Sequence, residues 1–188
     1  MSSPPIIRVS PDLILRAIRP EDHPRHHSLM ERIYPPAFAY LWPDAGAWYV
    51  HHVHGRKSFE RDLAQPDARY YHVFFREELV GIYRLKLNTE PVDFPGEPGL
   101  KLDRLYLDDA IRGQGIGSAL VEHAKRETSR LGKSILWLER MDTNEATIAF
   151  YRKCGFTDGS AFRLTFDRMH PEFRGMRRLW WRPALSSS

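Results

Sequence analysis

The sequence predicts an α/β fold, on three observations. Leu105–Leu107 read as the end of a strand that passes through a glycine-rich turn, Gly113–Gly117, into a helix. The apolar residues after that turn, Leu120, Val121, Ala124, Thr128 and Leu131, fall on one helical face. A second strand-then-helix unit follows, Ser134–Glu139 and then Asn144–Phe156, with Gly155 near its end. Before both stands a hairpin, Arg69–Phe75 and Leu79–Leu87, turning at Glu77–Glu78. Strands interleaved with helices in this way build a sheet layered with helices.

The rest of the chain is consistent with that class. Residues 1–12 and 184–188 read as frayed termini. Leu13–Arg19 reads as a first strand, and Pro20-Glu21-Asp22 opens a helix to about Tyr34. Tyr34–Val50 holds six aromatics, three prolines and one glycine. Further helices are expected over Ala47–His54 and Ser58–Gln65. Asn88–Gly99, with three prolines, reads as a loop. Gly99–Leu107 is the central strand. Its leucines change parity between Leu102 and Leu105, which strict alternation does not allow on one face, so a β-bulge is expected near Asp103–Arg104. Ala161–Phe166 and Met176–Arg182 read as a final hairpin. Nothing in the pattern splits the chain, and 188 residues suit a single domain spanning 1–188.

Composition narrows the function classes. Hydrophobic residues are 42%, and no run approaches the roughly 20 apolar residues of a membrane span. Met1-Ser2-Ser3-Pro4-Pro5 lacks the basic start and apolar run of a signal peptide. The single cysteine, Cys154, rules out an internal disulfide and suits the cytoplasm. A net charge of +4 is too mild to call for nucleic acid. The expectation is therefore a cytoplasmic protein with neither nucleic acid nor membrane as partner.

Gly113, Gly115 and Gly117 lie where strand becomes helix. The first N–H groups of a helix have no internal partner and carry partial positive charge, so bare amides there make a seat for a phosphate or pyrophosphate. A Walker loop would need a lysine after Gly117, and the dinucleotide fingerprint would need a third glycine at Ser118. What fits is Arg112-x-x-Gly115-x-Gly117. With it goes Asn144…Phe150-Tyr151…Gly155-Phe156, in which the alanine is displaced to Ala146 or Ala149. On these two motifs, covering about 100–160, the chain resembles the GNAT superfamily of N-acetyltransferases. It is nearest in pattern to the ribosomal-protein-alanine and polyamine enzymes.

The resemblance implies a mixed central sheet of about seven strands flanked by about four helices. The fourth and fifth strands, 99–107 and 134–139, are splayed. It also implies direct transfer of an acetyl group from the cosubstrate acetyl-CoA, without a metal, to a primary amine of a small molecule or peptide. The pantetheine arm would run along Leu105, Tyr106 and Leu107. The pyrophosphate would sit on Arg112, Gly113, Gln114, Gly115, Ile116, Gly117 and Ser118. Asn144, Tyr151 and Lys153 would complete the carrier's site. A homodimer is compatible with the sequence.

Acetyl transfer poses three problems. A lysine-like amine with pKa near 10.4 is neutral in only about one molecule in 2,500 at pH 7. The tetrahedral intermediate needs an oxyanion donor, for which the backbone N–H of Leu105 is the candidate. The leaving thiolate needs a proton. Tyr151 matches the family's general acid; the alternative is a core tyrosine with one satisfied hydrogen bond. Glu139 is the candidate base. Leu136-Trp137-Leu138-Glu139 looks like the Leu-Trp-Leu-Glu-Val-Arg of the ribosomal-protein enzymes, but Arg140-Met141 replace Val-Arg. The alternative for Glu139 is a strand-end ion pair with Arg104 or Arg140. Asp103 is held in reserve, and Lys101 stands where polyamine enzymes carry glutamate.

Asn144 is read as a pantetheine ligand or a helix cap, and Cys154 as a packed thiol. His51, His52 and His54 read as a surface face rather than a metal site. Tyr40, Trp42 and Trp48 are the acceptor-pocket candidates, with core filling as the alternative. A competing reading of the whole is a non-catalytic CoA-binding or protein-interaction module.

Overall fold

The computed structural model of the chain describes residues 5–184. The strands are β1 (Ile6–Ser10), β2 (Leu13–Ala17), β3 (Ala68–Phe75), β4 (Glu78–Lys86), β5 (Gly99–Leu107), β6 (Ile135–Met141), β7 (Thr157–Arg163) and β8 (Gly175–Trp181). The helices are α1 (His23–Phe38), α2 (Ala47–His54), α3 (Arg56–Leu63), α4 (Ile116–Arg130) and α5 (Glu145–Lys153). The strands form one mixed sheet in the order β1-β2-β3-β4-β5-β6-β8-β7, so one strand and one helix exceed the expected seven and four. Among the described residues, no helix is long and apolar enough to cross a membrane.

The chain divides into two compact units. One holds the residues up to Arg84 together with Arg104–Gly117; the other holds Leu85–Asp103 and the residues from Ser118 onward.

In the first unit, the stretch expected to fray forms β1 instead. Ile6-Ile7-Arg8-Val9 is a β-branched run, and it pairs antiparallel with β2, Ile6 opposite Arg16 and Ile7 opposite Leu15. Residues 1–4, also expected to fray, lie outside the described residues. Helix α1 runs beyond Tyr34, through Pro35 and Pro36, to Phe38. Each proline removes a helix hydrogen bond and crowds the preceding turn. The last turn survives because its aromatics are packed: Phe38 stacks on Tyr34 at 4.9 Å and meets Tyr106 edge-on at 5.6 Å. The β3–β4 hairpin turns at Arg76–Glu77, one residue before the expected position, with φ of 48° and 69°. Positive φ at both residues is the signature of the type I′ two-residue hairpin turn.

In the second unit, the expected buried face of α4 is present: Leu120, Val121, Ala124 and Thr128 are fully buried. Parallel pairing between β5 and β6 runs through Gly99–Ile135, Leu100–Leu136 and Lys101–Trp137, only the first part of both strands. This is the expected splay. Leu100 and Leu102 are buried while Leu105 and Leu107 are half-buried. The final hairpin is shifted towards the N-terminus, β7 starting at Thr157. The last strand, β8, lies between β6 and β7 and is antiparallel to both.

Candidate functional site

In the first unit, Gly113 and Gly115 take φ of 81° and 75°, in the left-handed region, with nothing within 4 Å of where a Cβ would stand. The turn therefore needs glycine for its backbone conformation, and it leaves open space beside its amides. Gly117 differs, since α4 already starts at Ile116. Ile116 is buried and anchors the helix; Gln114 is exposed. Arg112 is exposed and pairs with Asp109 at 2.5 Å. On the strand side, the Asp108 N–H donates to the Val80 carbonyl at 2.8 Å. The Asp108 carboxylate takes the Arg32 guanidinium and the N–H of Ala110.

The aromatic stretch divides. Trp42 is buried and donates to the Tyr34 hydroxyl at 2.9 Å, the core arrangement. Trp48 is half-buried, stacked on His52 at 4.7 Å and tilted against Trp42 at 5.6 Å. Tyr40 is exposed. Tyr49 stacks on Tyr34 at 4.5 Å, and its hydroxyl lies 3.3 Å from that of Tyr106.

Beneath this layer lies a buried polar network that sequence reading missed. His26 and His54 share a hydrogen bond of 3.0 Å, and His72 stacks on His26 at 5.6 Å. The Tyr70 hydroxyl is 3.4 Å from His26, and Arg104 donates to that hydroxyl at 3.3 Å and to Asp62 at 2.6 Å. Asp62 also pairs with the buried Arg84. Burial holds all three imidazoles neutral, with His26 pushed down to about 2, His72 to about 4 and His54 well below the ordinary value. The surface-face reading thus fits His51 and His52 but not His54, whose ring is turned into this network. Among the described residues, no group of three or more metal-ligating side chains is assembled.

In the second unit, α5 places Tyr151 in a buried position between Phe150 and Phe156, with the Arg140 guanidinium over its ring. Burial raises its phenol to about 12, so it stays protonated at neutral pH. Among the described residues, no group hydrogen-bonds the Tyr151 hydroxyl.

Both carboxylate candidates are ion-paired. Glu139 receives Lys101 at 2.6 Å on one oxygen and Arg178 at 3.2 Å on the other, not Arg104 or Arg140. Asp103 pairs with Lys86 at 3.2 Å. Asn144 caps α5, its Oδ1 accepting from the Thr147 N–H at 3.1 Å and the Thr147 hydroxyl at 3.0 Å. Ser118 is exposed and its hydroxyl interacts with the Cys154 thiol, which burial pushes up. Lys153 is exposed at the end of α5.

The chain is 29% identical over 109 residues to an N-acetyltransferase encoded in the pepI 3' region of Lactobacillus delbrueckii subsp. lactis, covering 57% of this chain and 63% of that protein. It is 37% identical over 62 residues to the ribosomal protein bS18-alanine N-acetyltransferase of Escherichia coli K12, covering 33% and 42%. The chain thus spans less than two thirds of the length of these curated relatives. Its fold matches the ribosomal L7/L12 alpha-N-protein acetyltransferase RimL, solved in complex with coenzyme A. That match has a TM-score of 0.69 at 22% identity over 95% of this chain and 98% of that one. A family model for the acetyltransferase (GNAT) family matches residues 27–156, and the chain belongs to that family.

Proposed function

We propose that the whole chain acts as one GNAT domain that transfers the acetyl group of acetyl-CoA to a primary amine of a small molecule or peptide. The observation that carries this reading is the Tyr151 phenol: buried, protonated at neutral pH and without a hydrogen-bond partner among the described residues. A group in that state can give its proton to the departing CoA sulfur.

The open turn at Gly113 and Gly115, at the start of α4, is the seat for the carrier's pyrophosphate, with Arg112 as the cation beside it. The Leu105 N–H is the oxyanion donor, and the strand edge at Leu105–Leu107 receives the pantetheine arm. Asn144 Oδ1 is committed to the helix cap, so only its amide NH2 serves the arm. As proton acceptor, Glu139 would use the lone pair that each of its oxygens keeps beside its bond to Lys101 or Arg178, and those two cations weaken it as a base. Asp103, paired with Lys86, is the reserve base. Trp48 and Tyr40 are the acceptor-side aromatics; Trp42 supports Trp48 from the core.

Thiol release from acetyl-CoA across a panel of amines tests the reading. Tyr151→Phe lowers turnover by about 10²–10⁴ while coenzyme A binding is retained. Unchanged turnover removes Tyr151 from the mechanism. Binding of coenzyme A without turnover on any amine selects the non-catalytic module instead.

A further inference from the structure

Residue 140 is one place where this chain departs from the pattern it resembles. Arg140-Met141 come after Glu139, where the resembling enzymes carry Val-Arg. Successive side chains of a strand point to opposite faces, so a shift of one position moves the guanidinium to the other face of β6. There Arg140 stands opposite Arg177 of β8, as Glu139 stands opposite Arg178. Like charges directly opposed on an antiparallel pair repel. Arg177 is turned to Asp158 at 2.7 Å, a carboxylate that also takes Arg152. Arg140 is turned to Tyr151: its guanidinium carbon lies 5.9 Å from the ring centroid, with its Nε donating to the Met141 carbonyl at 3.4 Å.

We infer that Arg140 is a positioning residue for the acid, its cation stabilising the phenolate that Tyr151 becomes once its proton is given away. This rests on the acetyl-transfer reading above. As the tetrahedral intermediate collapses, the carbon–sulfur bond breaks and the sulfur leaves with the electron pair. The Tyr151 O–H bond breaks in turn; its proton makes the sulfur a neutral thiol and its electron pair stays on oxygen. The proton lost by the amine nitrogen passes to the carboxylate base and from it to water, and a proton from water restores the phenol.

Burial makes this donation difficult: even with Arg140 over its ring the phenol stands near 12, well above the thiol it must protonate. Two charged or titratable groups act on it besides burial: Arg140 lowers it and Cys154 raises it. A cation over a neutral ring gains a little; over a phenolate it gains much more. Its stabilisation therefore grows along the reaction, the condition for helping catalysis rather than binding.

Arg140→Gln is expected to lower kcat about tenfold, the effect of one pKa unit of acid strength, with KM for acetyl-CoA unchanged. Arg140→Lys, which keeps the cation, restores most of the loss. In a Tyr151→Phe background, Arg140→Gln has no further effect on kcat. A readout free of substrate accompanies these: with 3-fluorotyrosine at position 151, the fluorophenol titrates at higher pH in Arg140→Gln than in the parent, followed by ¹⁹F resonance. Should Arg140→Gln not fold, Arg140→Met, which keeps more of the stem's packing, takes its place. An unmoved titration overturns the inference whatever the turnover, as does an equal loss of kcat with and without the Tyr151 hydroxyl. A shifted titration in a parent chain that turns over no amine overturns the acetyl-transfer reading, and the catalytic role with it.

Discussion

Lowering the pH from about 7.5 to about 5 should destabilise this protein by several kcal/mol, well before its carboxylates titrate. The groups responsible are His26, His54 and His72, all almost fully buried. Burial is the main cause of their lowered values; Arg104 adds to it at His26 and His54. At His72, Asp22 opposes the shift while Arg16 and Arg25 reinforce it. Above the ordinary value of 6.5, neither folded nor unfolded chain holds these protons and stability is at its full level. Below it, the unfolded chain takes them up and the folded chain does not, so stability falls until each folded value is reached.

With His72 near 4 and the other two lower, each histidine costs about 2 kcal/mol at pH 5, or about 6 kcal/mol for the three. Domains are stable by about 5–15 kcal/mol, so much of the margin is lost. His23 and His123 are lowered as well and act in the same direction. Asp158, Glu97 and Glu127 are held low by arginines, so their contribution is still intact at pH 5 and is lost only further down. Urea unfolding followed by tryptophan fluorescence at the two pH values measures the change. His72→Met should reduce the pH-dependent part by about 2 kcal/mol. Equal unfolding free energies at both pH values, or a pH dependence untouched by that substitution, would refute the reasoning.

Other predictions concern single side chains. Asp62→Ala leaves Arg84 and Arg104 in the interior without their shared carboxylate and should cost about 3–5 kcal/mol. The same urea assay should find about 1 kcal/mol or less for Glu60→Ala, whose pair with Arg56 is exposed. Gly115→Ala forces a side chain into the left-handed region and should cost about 1–2 kcal/mol. Calorimetric titration with coenzyme A should show weaker binding for it, since the turn must distort to relieve the strain. Asn144→Ala removes the cap of α5 and should cost about 0.5–2 kcal/mol, read from the thermal unfolding midpoint.

Much of the chain from the glycine turn onward was legible from the residues alone. The buried face of α4 follows from helical periodicity, and the turn before it from glycines whose positive φ other residues resist. The pattern around Asn144–Phe156 located α5 and Tyr151 for the same local reason. Continuation of α1 through Pro35 and Pro36 was not legible, because local sterics oppose it and only packing of Tyr34, Phe38 and Tyr106 outweighs them. Strand β1 was missed because its hydrogen bonds come from β2, and five residues of extended chain have no partner of their own.

What the sequence by itself determined is what lies within a few residues: which segments are helix or strand, where the backbone must turn, and which motif carries the phenol. What only the tertiary structure decided is the company each charge keeps. Glu139 finds its cations 38 and 39 residues away, His26 its partner 28 residues away, and Arg140 lies over a ring on another element. Periodicity is fixed by bonded geometry along the chain. Protonation and pairing are fixed by burial and distance, which exist only once the chain has folded.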